Sequence, residues 1–284
     1  MQALTLVVFC FIFYSGRAWE YIDQDNWGQQ YPDCDGSRQS PIDINPNIEA
    51  TKGSTIKFIN YGNTIPGKDL PITNNGHTVS ISFAGIKESQ LPLIKGGILG
   101  DDSYILQELH FHWGANKSVG SEHTFNGKSY ALEGHLVHRN TKYGSIPEAV
   151  NNSDGLTVLG ILYQEQTVIP RSPLYQLTNR FSEVRTCEKE DTLSGNINLR
   201  RIFPAFDSRT YYNYPGSLTT PACNEAVNWI VYANPSGVAA PEMKEFRALK
   251  DCNGDPLVDN FRKTQPLNGR VPRKIMEKIY WRSE

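Results

Sequence analysis

The sequence has no excess of basic residues: its 28 lysines and arginines are balanced by 30 aspartates and glutamates, for a formal net charge of -2. A nucleic-acid-binding domain ordinarily carries a basic surface, so we expect no nucleic-acid partner. The sequence also has no internal repeat and no linker that would divide it. With 39% hydrophobic and 20% charged residues over 284 positions, it has the composition and length of a globular protein with a sizeable core.

Long apolar runs are scarce as well. The run from Leu4 to Tyr14 is too short to span a bilayer comfortably, and small residues, Gly16 and Ala18, follow it at the positions of a cleavage site. We therefore predict a signal peptide over residues 1–18, a mature domain over 19–284 and secretion to the extracellular space. The n-region has no lysine or arginine, so a buried N-terminal segment is the alternative. The charged C-terminal stretch KIMEKIYWRSE has no lipid-attachment signal, and we expect no membrane anchor.

Cysteine is scarce too, with five residues in the chain. Removal of the leader takes Cys10 and leaves an even number, which favours disulfides in an oxidising compartment. The remaining cysteines are Cys34, Cys187, Cys223 and Cys252, and the sequence alone allows three pairings. Two tripeptides, beginning at Asn116 and Asn151, match the acceptor sequence for N-linked glycans and are candidate modification sites.

Short runs that alternate apolar and polar residues recur between turn signals, which is typical of β-strands. These runs are STIKFINYG (54–62), HTVSISFAG (77–85), SYILQELHFHW (103–113), YALEGHLVH (130–138), LTVLGILYQ (156–164) and VNWIVYA (227–233). Helical patterns are few: SPLYQLTNRFSEV (172–184) and APEMKEFRALK (240–250). The fold class predicted is mainly β, a single domain around a large sheet with peripheral helices and long ordered loops.

Histidine occurs six times, and two of these residues stand two apart in one strand-like run, His110 and His112 in YILQELHFHWG. Side chains at positions i and i+2 of a strand share a face and lie about 6.6 Å apart along it. Two imidazoles that close can reach one zinc ion at about 2.0–2.1 Å per bond. An isolated H-x-H pattern is weak evidence of a metal site, so a third ligand is needed.

The run ALEGHLVH supplies a third ligand. Alternation places Glu133, His135 and Val137 on one face and His138 on the other, so we prefer His135, with His138 or His123 as alternatives. A metal-bound histidine usually donates its second ring N–H to a carboxylate or carbonyl, a role open to Glu133. Three histidines leave a fourth position on zinc for water, which is typical of catalytic sites. The competing interpretation is a set of buried histidines that form hydrogen bonds without a metal.

Eight blocks in order along the chain carry a family resemblance. They are RQSPIDI (38–44), NNGHTVSI (74–81), LHFHWG (109–114), SEHTFNGKSYALEGHLVH (121–138), DGLTVLGIL (154–162), YPGSLTTPAC (214–223), NWIVY (228–232) and DNFR (259–262). On these blocks the sequence resembles an α-class carbonic anhydrase from about Trp19 to Trp281. The resemblance implies a twisted, mixed, mostly antiparallel sheet of about ten strands, with a conical cavity that descends to a metal ion.

The resemblance also implies an activity, the reversible hydration of carbon dioxide to bicarbonate and a proton, with zinc-bound hydroxide as the nucleophile. It implies Zn²⁺ held by His110, His112 and His135, with carbon dioxide, water and bicarbonate as substrates and with sulfonamides and anions as inhibitors. The other implied roles are as follows: Glu133, His123 and Tyr214 around the ligands; Thr219 and Glu122 orienting the nucleophile; His77 as the proton shuttle with Tyr21, Asn75 and Thr220 beside it; Val137, Val158, Leu218, Trp229 and Thr220 lining the substrate pocket; and Cys34 paired with Cys223.

The sequence departs from the family pattern at three places. Glu108 stands where most members have glutamine; it shares the face of His110 and is expected either to accept its second N–H or to be solvated or paired with a cation. Ala222 replaces the second of two prolines, so we expect a trans bond after Pro221, because a non-proline cis bond costs about 2.5–4 kcal/mol. Cys187 and Cys252 have no standard counterparts and either pair with each other, stay free or pair with another chain.

Two other functions fit parts of the pattern. A catalytically silent relative that serves as a binding protein would lack a ligand histidine, and all three are present here. A zinc hydrolase acting on esters or peptides would be expected to carry H-E-x-x-H, which the sequence does not have.

Overall fold

The computed structural model describes residues 19–167, 169, 174–203 and 210–277. The signal peptide predicted over residues 1–18 lies outside the described residues. Within them the strands are β1 Asp43–Ile44, β2 Ala50–Gly53, β3 Ile56–Ile59, β4 Ile65–Pro66, β5 Pro71–Asn74, β6 Val79–Ser82, β7 Leu93–Gly96, β8 Ser103–Trp113, β9 Thr124–Phe125, β10 Leu132–Asn140, β11 Leu156–Gln166, β12 Lys189–Thr192, β13 Asn196–Ile197, β14 Thr210–Gly216, β15 Val227–Tyr232, β16 Ser236–Ala239 and β17 Arg273–Glu277.

The helices are short and lie outside the sheet. The α-helices are α1 Trp27–Gln30, α2 Ile146–Ala149, α3 Tyr175–Thr178, α4 Leu199–Ile202 and α5 Ala240–Arg247. Short 3₁₀ segments cover Tyr21–Asn26, Pro32–Asp35, Gly67–Asp69, Glu88–Gln90 and Gly97–Leu99. In α5, the longest of these α-helices, Pro241 occupies the first turn and the Glu242 carboxylate accepts the Ala239 N–H at 3.2 Å, which satisfies an otherwise unpaired helix donor.

One sheet of thirteen strands dominates the described residues. Its main path has the order β12-β5-β6-β8-β10-β11-β15-β14-β17-β2, while β16 pairs with β11, and β7 pairs with β3 and β8. Neighbours are antiparallel except at β11–β15, β11–β16 and β17–β2. The prediction of a mainly β fold around a mixed, mostly antiparallel sheet is confirmed. The extra strands are short pieces such as β16, which carry too few alternating residues to be recognised from sequence.

The two faces of the sheet bury different sets of side chains. On β8, Leu109 and Phe111 point into the larger apolar core, together with Leu136 of β10 and Ile161 of β11. The histidines of β8 point to the opposite face, where a smaller apolar cluster surrounds Trp229. Close packing on the buried face of β8 and β10 therefore fixes the backbone of these two strands, and their opposite face is available for the polar site.

Two disulfides close the loops. Cys34 pairs with Cys223, which confirms the pairing implied by the resemblance, and Cys187 pairs with Cys252, which decides between the three options left open by the sequence. The described residues contain no helix that has both the length and the apolar character needed to cross a bilayer.

The expected trans bond between Pro221 and Ala222 is wrong, because the bond is cis. The expectation considered only the intrinsic cost of an isolated peptide bond. In the folded chain the loop is tied on both flanks: the Cys223 N–H donates to Thr220 O at 2.8 Å, and the Leu218 N–H donates to Asn224 O at 3.0 Å. The loop is also held from distant positions, by the disulfide from Cys34 to Cys223 and by Gln39 Nε2, which donates to Cys223 O at 3.2 Å. Tertiary contacts of this kind can determine a conformation that local preference disfavours.

Candidate metal centre

Strand register brings three histidines together. In the antiparallel pair β8–β10, His135 stands directly opposite His110, and Glu133 stands opposite His112. Because side chains alternate along each strand, all four point to the same face of the sheet. The histidine pair of one strand therefore meets the histidine and the carboxylate of the next without any long side-chain reach.

The spacing of the ring nitrogens fits a tetrahedral ion. His112 Nε2 lies 3.1 Å from His135 Nδ1, which lies 3.3 Å from His110 Nε2. A tetrahedron with Zn–N bonds of about 2.0–2.1 Å has edges of about 3.3 Å. The three ligand atoms all lie within 4.8 Å of one another. The nitrogens therefore already stand at about the separation that zinc coordination requires.

The other nitrogen of each ring is held by an acceptor. His110 Nδ1 lies 2.8 Å from Glu108 Oε1, His112 Nδ1 lies 2.8 Å from the carbonyl oxygen of Asn260, and His135 Nε2 lies 3.0 Å from Glu133 Oε1. Carbonyl and carboxylate oxygens only accept, so these outer nitrogens carry the protons. In neutral imidazoles the inner nitrogens then present three lone pairs to one another, an arrangement that a cation between them stabilises.

Burial keeps two of the rings neutral. It lowers the pKa of His112 to about 3, with the neighbouring His110 acting in the same direction, and it lowers the pKa of His135 to about 4 against the opposing hydrogen bond to Glu133. Neutral imidazole is the form that binds a metal, so no proton has to be displaced at neutral pH.

Glu133 is the most heavily bonded acceptor of the site and is fully buried. Besides His135, its carboxylate accepts the Nδ1–H of His123 at 2.7 Å and the backbone N–H groups of Glu122 and His123 at 2.9 and 2.8 Å. Burial alone would raise its pKa, but electrostatic interactions and hydrogen bonds with His123 and His135 bring the pKa below its usual range. Gly160, opposite His135 on β11, leaves room for the Glu133 carboxylate, because a Cβ at this position would stand 3.0 Å from Glu133 Oε1.

The two alternative ligands have other partners. His123 Nε2 lies 2.6 Å from the hydroxyl of Tyr214, which also lies 3.0 Å from Ser40 Oγ, so both nitrogens of His123 have hydrogen-bond partners. His138 points to the opposite face of β10, where its Nε2 contacts the Tyr61 hydroxyl. Neither ring joins the group His110, His112 and His135.

Glu122 and Thr219 are both buried beside this group. Glu122 Oε1 accepts the Arg262 N–H at 2.9 Å and lies 3.5 Å from His112 Nδ1. Burial raises the pKa of Glu122, and the electrostatic interaction with His135 and the Thr219 hydroxyl oppose that rise. Glu122 Oε2 has no hydrogen bond of ordinary geometry within the described residues. It is therefore the acceptor left available to the Thr219 proton.

His77 is half-buried, and aromatic side chains surround it. Its imidazole stacks on Trp19 with the ring centroids 3.8 Å apart, and the ring of Tyr21 meets it edge-on at 6.5 Å. The His77 N–H donates to Asn75 Oδ1 at 3.0 Å. Burial lowers the pKa of His77, while the charge of Asp251 opposes that change. Thr220 is carried by the loop that also carries Thr219.

The residues of the predicted apolar wall are also neighbours. Val137, Val158 and Trp229 stand opposite one another on β10, β11 and β15, and Leu218 packs against the same cluster. The Trp229 ring lies 4.8 Å from the His135 ring, measured between centroids. The wall therefore directly adjoins His135 of the histidine group.

Sequence reasoning missed the role of the coil 259–262. Asn260 accepts from His112 through its backbone oxygen, accepts the Trp113 N–H through Oδ1 at 2.7 Å, and donates from Nδ2 to His77 O at 2.9 Å. Arg262 positions Glu122 and donates to Cys34 O at 3.0 Å. No local pattern marks these contacts, because they join residues that are more than a hundred positions apart.

Comparisons with known proteins identify the family of the chain. The family model described as eukaryotic-type carbonic anhydrase matches residues 22–275. Carbonic anhydrase 7 of Mus musculus is 38% identical over 263 residues, which cover 90% of this chain and 96% of that protein. Carbonic anhydrase 6 of Bos taurus is 36% identical over 268 residues, which cover 89% of this chain and 79% of that protein. The chain therefore belongs to the eukaryotic-type carbonic anhydrase family, as its sequence blocks suggested, and its enzyme class is carbonic anhydrase.

Proposed function

We propose that this chain catalyses the zinc-dependent, reversible hydration of carbon dioxide at the face of β8 and β10. The observation that carries the proposal is the set of three inward-facing nitrogens of His110, His112 and His135. Their spacing suits tetrahedral zinc, and three histidines leave a further position for solvent, which is typical of a catalytic rather than a structural zinc site. A zinc ion held there would supply Lewis acidity that brings the pKa of a water into the neutral range, as is known for carbonic anhydrases.

The acceptors behind the ligands have a positioning role. Glu108, Asn260 O and Glu133 each fix which ring nitrogen carries the proton, so each inner lone pair is available without a tautomer change. Glu133 in turn is held by His123 and two backbone N–H groups, which leaves it little freedom to turn away. His123 is itself held by Tyr214. The rings therefore have little to reorganise on binding a metal.

Thr219 and Glu122 would orient the attacking solvent. A threonine hydroxyl has one proton and two lone pairs, and an ionised carboxylate only accepts. If Thr219 donates its proton to Glu122, its oxygen can only accept a hydrogen bond from the attacking solvent. Thr219 therefore selects a solvent species that donates one hydrogen to it and directs a lone pair elsewhere. The same requirement selects inhibitors that keep one N–H donor on an anionic nitrogen, which accounts for the expected binding of sulfonamides.

Carbon dioxide has no charge and needs a small dry pocket beside the nucleophile. Val137, Val158, Leu218 and Trp229 would form that pocket, with Thr220 at its polar margin. Their apolar surfaces offer no hydrogen bond to compete for the nucleophile. The product, bicarbonate, is an anion that such a surface does not retain, and this favours its release.

His77 would carry the proton that each turnover leaves behind. Histidine is the side chain whose ordinary pKa allows it to accept and release a proton near neutral pH. Its contacts with Trp19, Tyr21 and Asn75 hold it half-buried at the edge of the site. We propose that it exchanges protons between the solvent of the site and the external buffer.

We further propose that the mature protein comprises residues 19–284 and is extracellular. Two disulfides in a chain with a leader-like N-terminus support this location. Asn116 and Asn151 are both exposed, as glycan acceptors must be.

Stopped-flow measurement of carbon dioxide hydration, with and without a zinc chelator, tests the proposal. We expect activity that is lost on chelation and restored by added zinc. The variant His112→Ala should lose zinc and activity together, whereas His138→Ala, on the opposite face, should retain both in the fraction that folds. The absence of activity in the zinc-loaded wild-type protein would overturn the proposal.

A further inference from the structure

The turn that carries His77 rests on a disulfide that the metal site does not use. Cys187 and Cys252 are 65 residues apart in sequence, and their sulfurs lie beneath Gly76. A Cβ on Gly76 would overlap Cys252 Sγ and stand 2.9 Å from Cys187 Sγ. Gly76 also has φ of +85°, which favours glycine. The backbone just before His77 therefore packs directly on the two sulfurs.

The buried side chain of Asn74 ties the turn to both cysteine-bearing segments. Its Nδ2 donates to Lys250 O at 2.9 Å and to Arg185 O at 3.3 Å, and its Oδ1 accepts the Gly76 N–H at 3.0 Å. The Lys250 N–H donates to Arg185 O at 2.8 Å. The disulfide covalently closes a three-segment cluster that these hydrogen bonds already define.

The contacts on the other side of the turn complete its fixation. Asn75 Oδ1 accepts the N–H groups of His77 and Thr78 at 3.0 and 2.8 Å. The His77 carbonyl accepts from Asn260, the residue whose own carbonyl holds His112. The backbone of His77 therefore lies between the disulfide beneath Gly76 and Asn260, which also bonds the candidate ligand His112.

A segment joined by the disulfide also carries a charge near His77. Asp251 directly precedes Cys252, and its Oδ1 accepts the N–H groups of Asn253 and Asp255, each at 2.9 Å. Its carboxylate acts on the pKa of His77 in the direction opposite to burial. Loss of the covalent link would release both the floor of the turn and this neighbouring carboxylate.

We propose that the Cys187–Cys252 disulfide is a positioning element for His77, which holds the turn 74–78 so that the imidazole stays stacked on Trp19 at the edge of the site. This inference rests on the proposed role of His77 as proton carrier. A disulfide that only stabilised the fold would change the unfolding temperature and leave proton transfer intact.

The test compares Cys187→Ala/Cys252→Ala with the wild type in carbon dioxide hydration at low buffer concentration. We expect kcat to fall by about three- to tenfold, part of what a positioned proton-transfer group contributes, while kcat/KM stays within about twofold. Added imidazole, which carries protons from solution, should restore kcat. Ile94→Ala, in the core on the other face, serves as a matched control of lower stability and should show no loss that imidazole restores.

A structural readout accompanies the kinetics. In the wild type, the Trp19 ring should shift the His77 imidazole proton resonances upfield, and the double variant should lose this shift. Gly76→Ala keeps both cysteines but forces the turn off the sulfurs, and it should lose the same shift. This variant replaces the double variant in the test if the double variant fails to fold.

The outcomes separate the two proposals. If His77→Ala leaves kcat unchanged, the proposed role of His77 is wrong. If His77→Ala lowers kcat, but the double variant and Gly76→Ala keep both kcat and the ring-current shift, the positioning role of the disulfide is overturned.

Discussion

Glu108→Gln tests how the carboxylate behind His110 affects the metal. Glu108 Oε1 lies 2.8 Å from His110 Nδ1, where it accepts the ring proton and makes the opposite nitrogen a stronger donor. Glutamine has nearly the same shape and still offers a carbonyl acceptor, but it removes the negative charge. The substitution therefore isolates the charge of the acceptor from its position.

The magnitude follows from the exposure of the pair. Loss of a partner behind a metal ligand typically costs about 10–100-fold in metal affinity. The Glu108 side chain is 37% exposed, so solvent screens its charge and the lower limit applies. We expect zinc to bind about tenfold more weakly, or by about 1.4 kcal/mol. Weaker donation from His110 should also move the inflection of the pH–rate profile to lower pH.

The assay is the zinc dissociation constant, measured in a metal buffer by competition with a chelator, together with the pH–rate profile. Glu133→Gln provides the comparison, because Glu133 is fully buried and accepts from His123 and two backbone N–H groups as well as from His135. Its loss should be the larger of the two. An unchanged dissociation constant and an unchanged inflection in Glu108→Gln would refute the reasoning.

Three other predictions are independent of Glu108. Thr219→Val removes the hydroxyl that orients the nucleophile and should lower kcat/KM by about 10²-fold in stopped-flow hydration, with zinc content unchanged; wild-type kcat/KM would contradict the assigned role. Burial lowers the pKa of His138 from 6.5 to about 3, so the unfolded chain binds a proton between these values that the folded chain does not. Unfolding of the zinc-free protein by urea should therefore become easier as the pH falls from 7 to 4, and a constant midpoint would argue against a buried neutral His138. Expression with the native leader in a secreting host should release a protein that begins at Trp19, which N-terminal sequencing of the medium checks; an uncleaved product would contradict the predicted signal peptide.

Alternation along two strands was enough to propose the histidine group. The i, i+2 spacing of His110 and His112, and the shared face of Glu133 and His135, are properties of any β-strand and need no tertiary information. Pairing of the two strands was not determined by these patterns. The structure supplies the register, which places His135 directly opposite His110.

Other features depended on neighbours that are distant in the sequence. The helical pattern predicted over residues 172–184 gives an α-helix only over Tyr175–Thr178 in its described part. A pattern of this length forms only a marginal helix by its own propensity, so packing against distant residues decides how much of it is helical. The trans bond expected after Pro221 is cis in a loop that Cys34 and Gln39 hold from distant positions. Local preferences of about a few kcal/mol are readily outweighed by tertiary contacts.

The sequence by itself determined the family, the mainly β class and the chemistry of the residues that can bind a metal. These features follow from residue type and from spacing within single strands, which act over a few positions. Only the tertiary structure decided the partners of each outer nitrogen, the contacts of Asn260, and the pairing of Cys187 with Cys252 beneath Gly76. Such contacts join segments whose proximity depends on the packing of the whole sheet, so no local pattern in the chain encodes them.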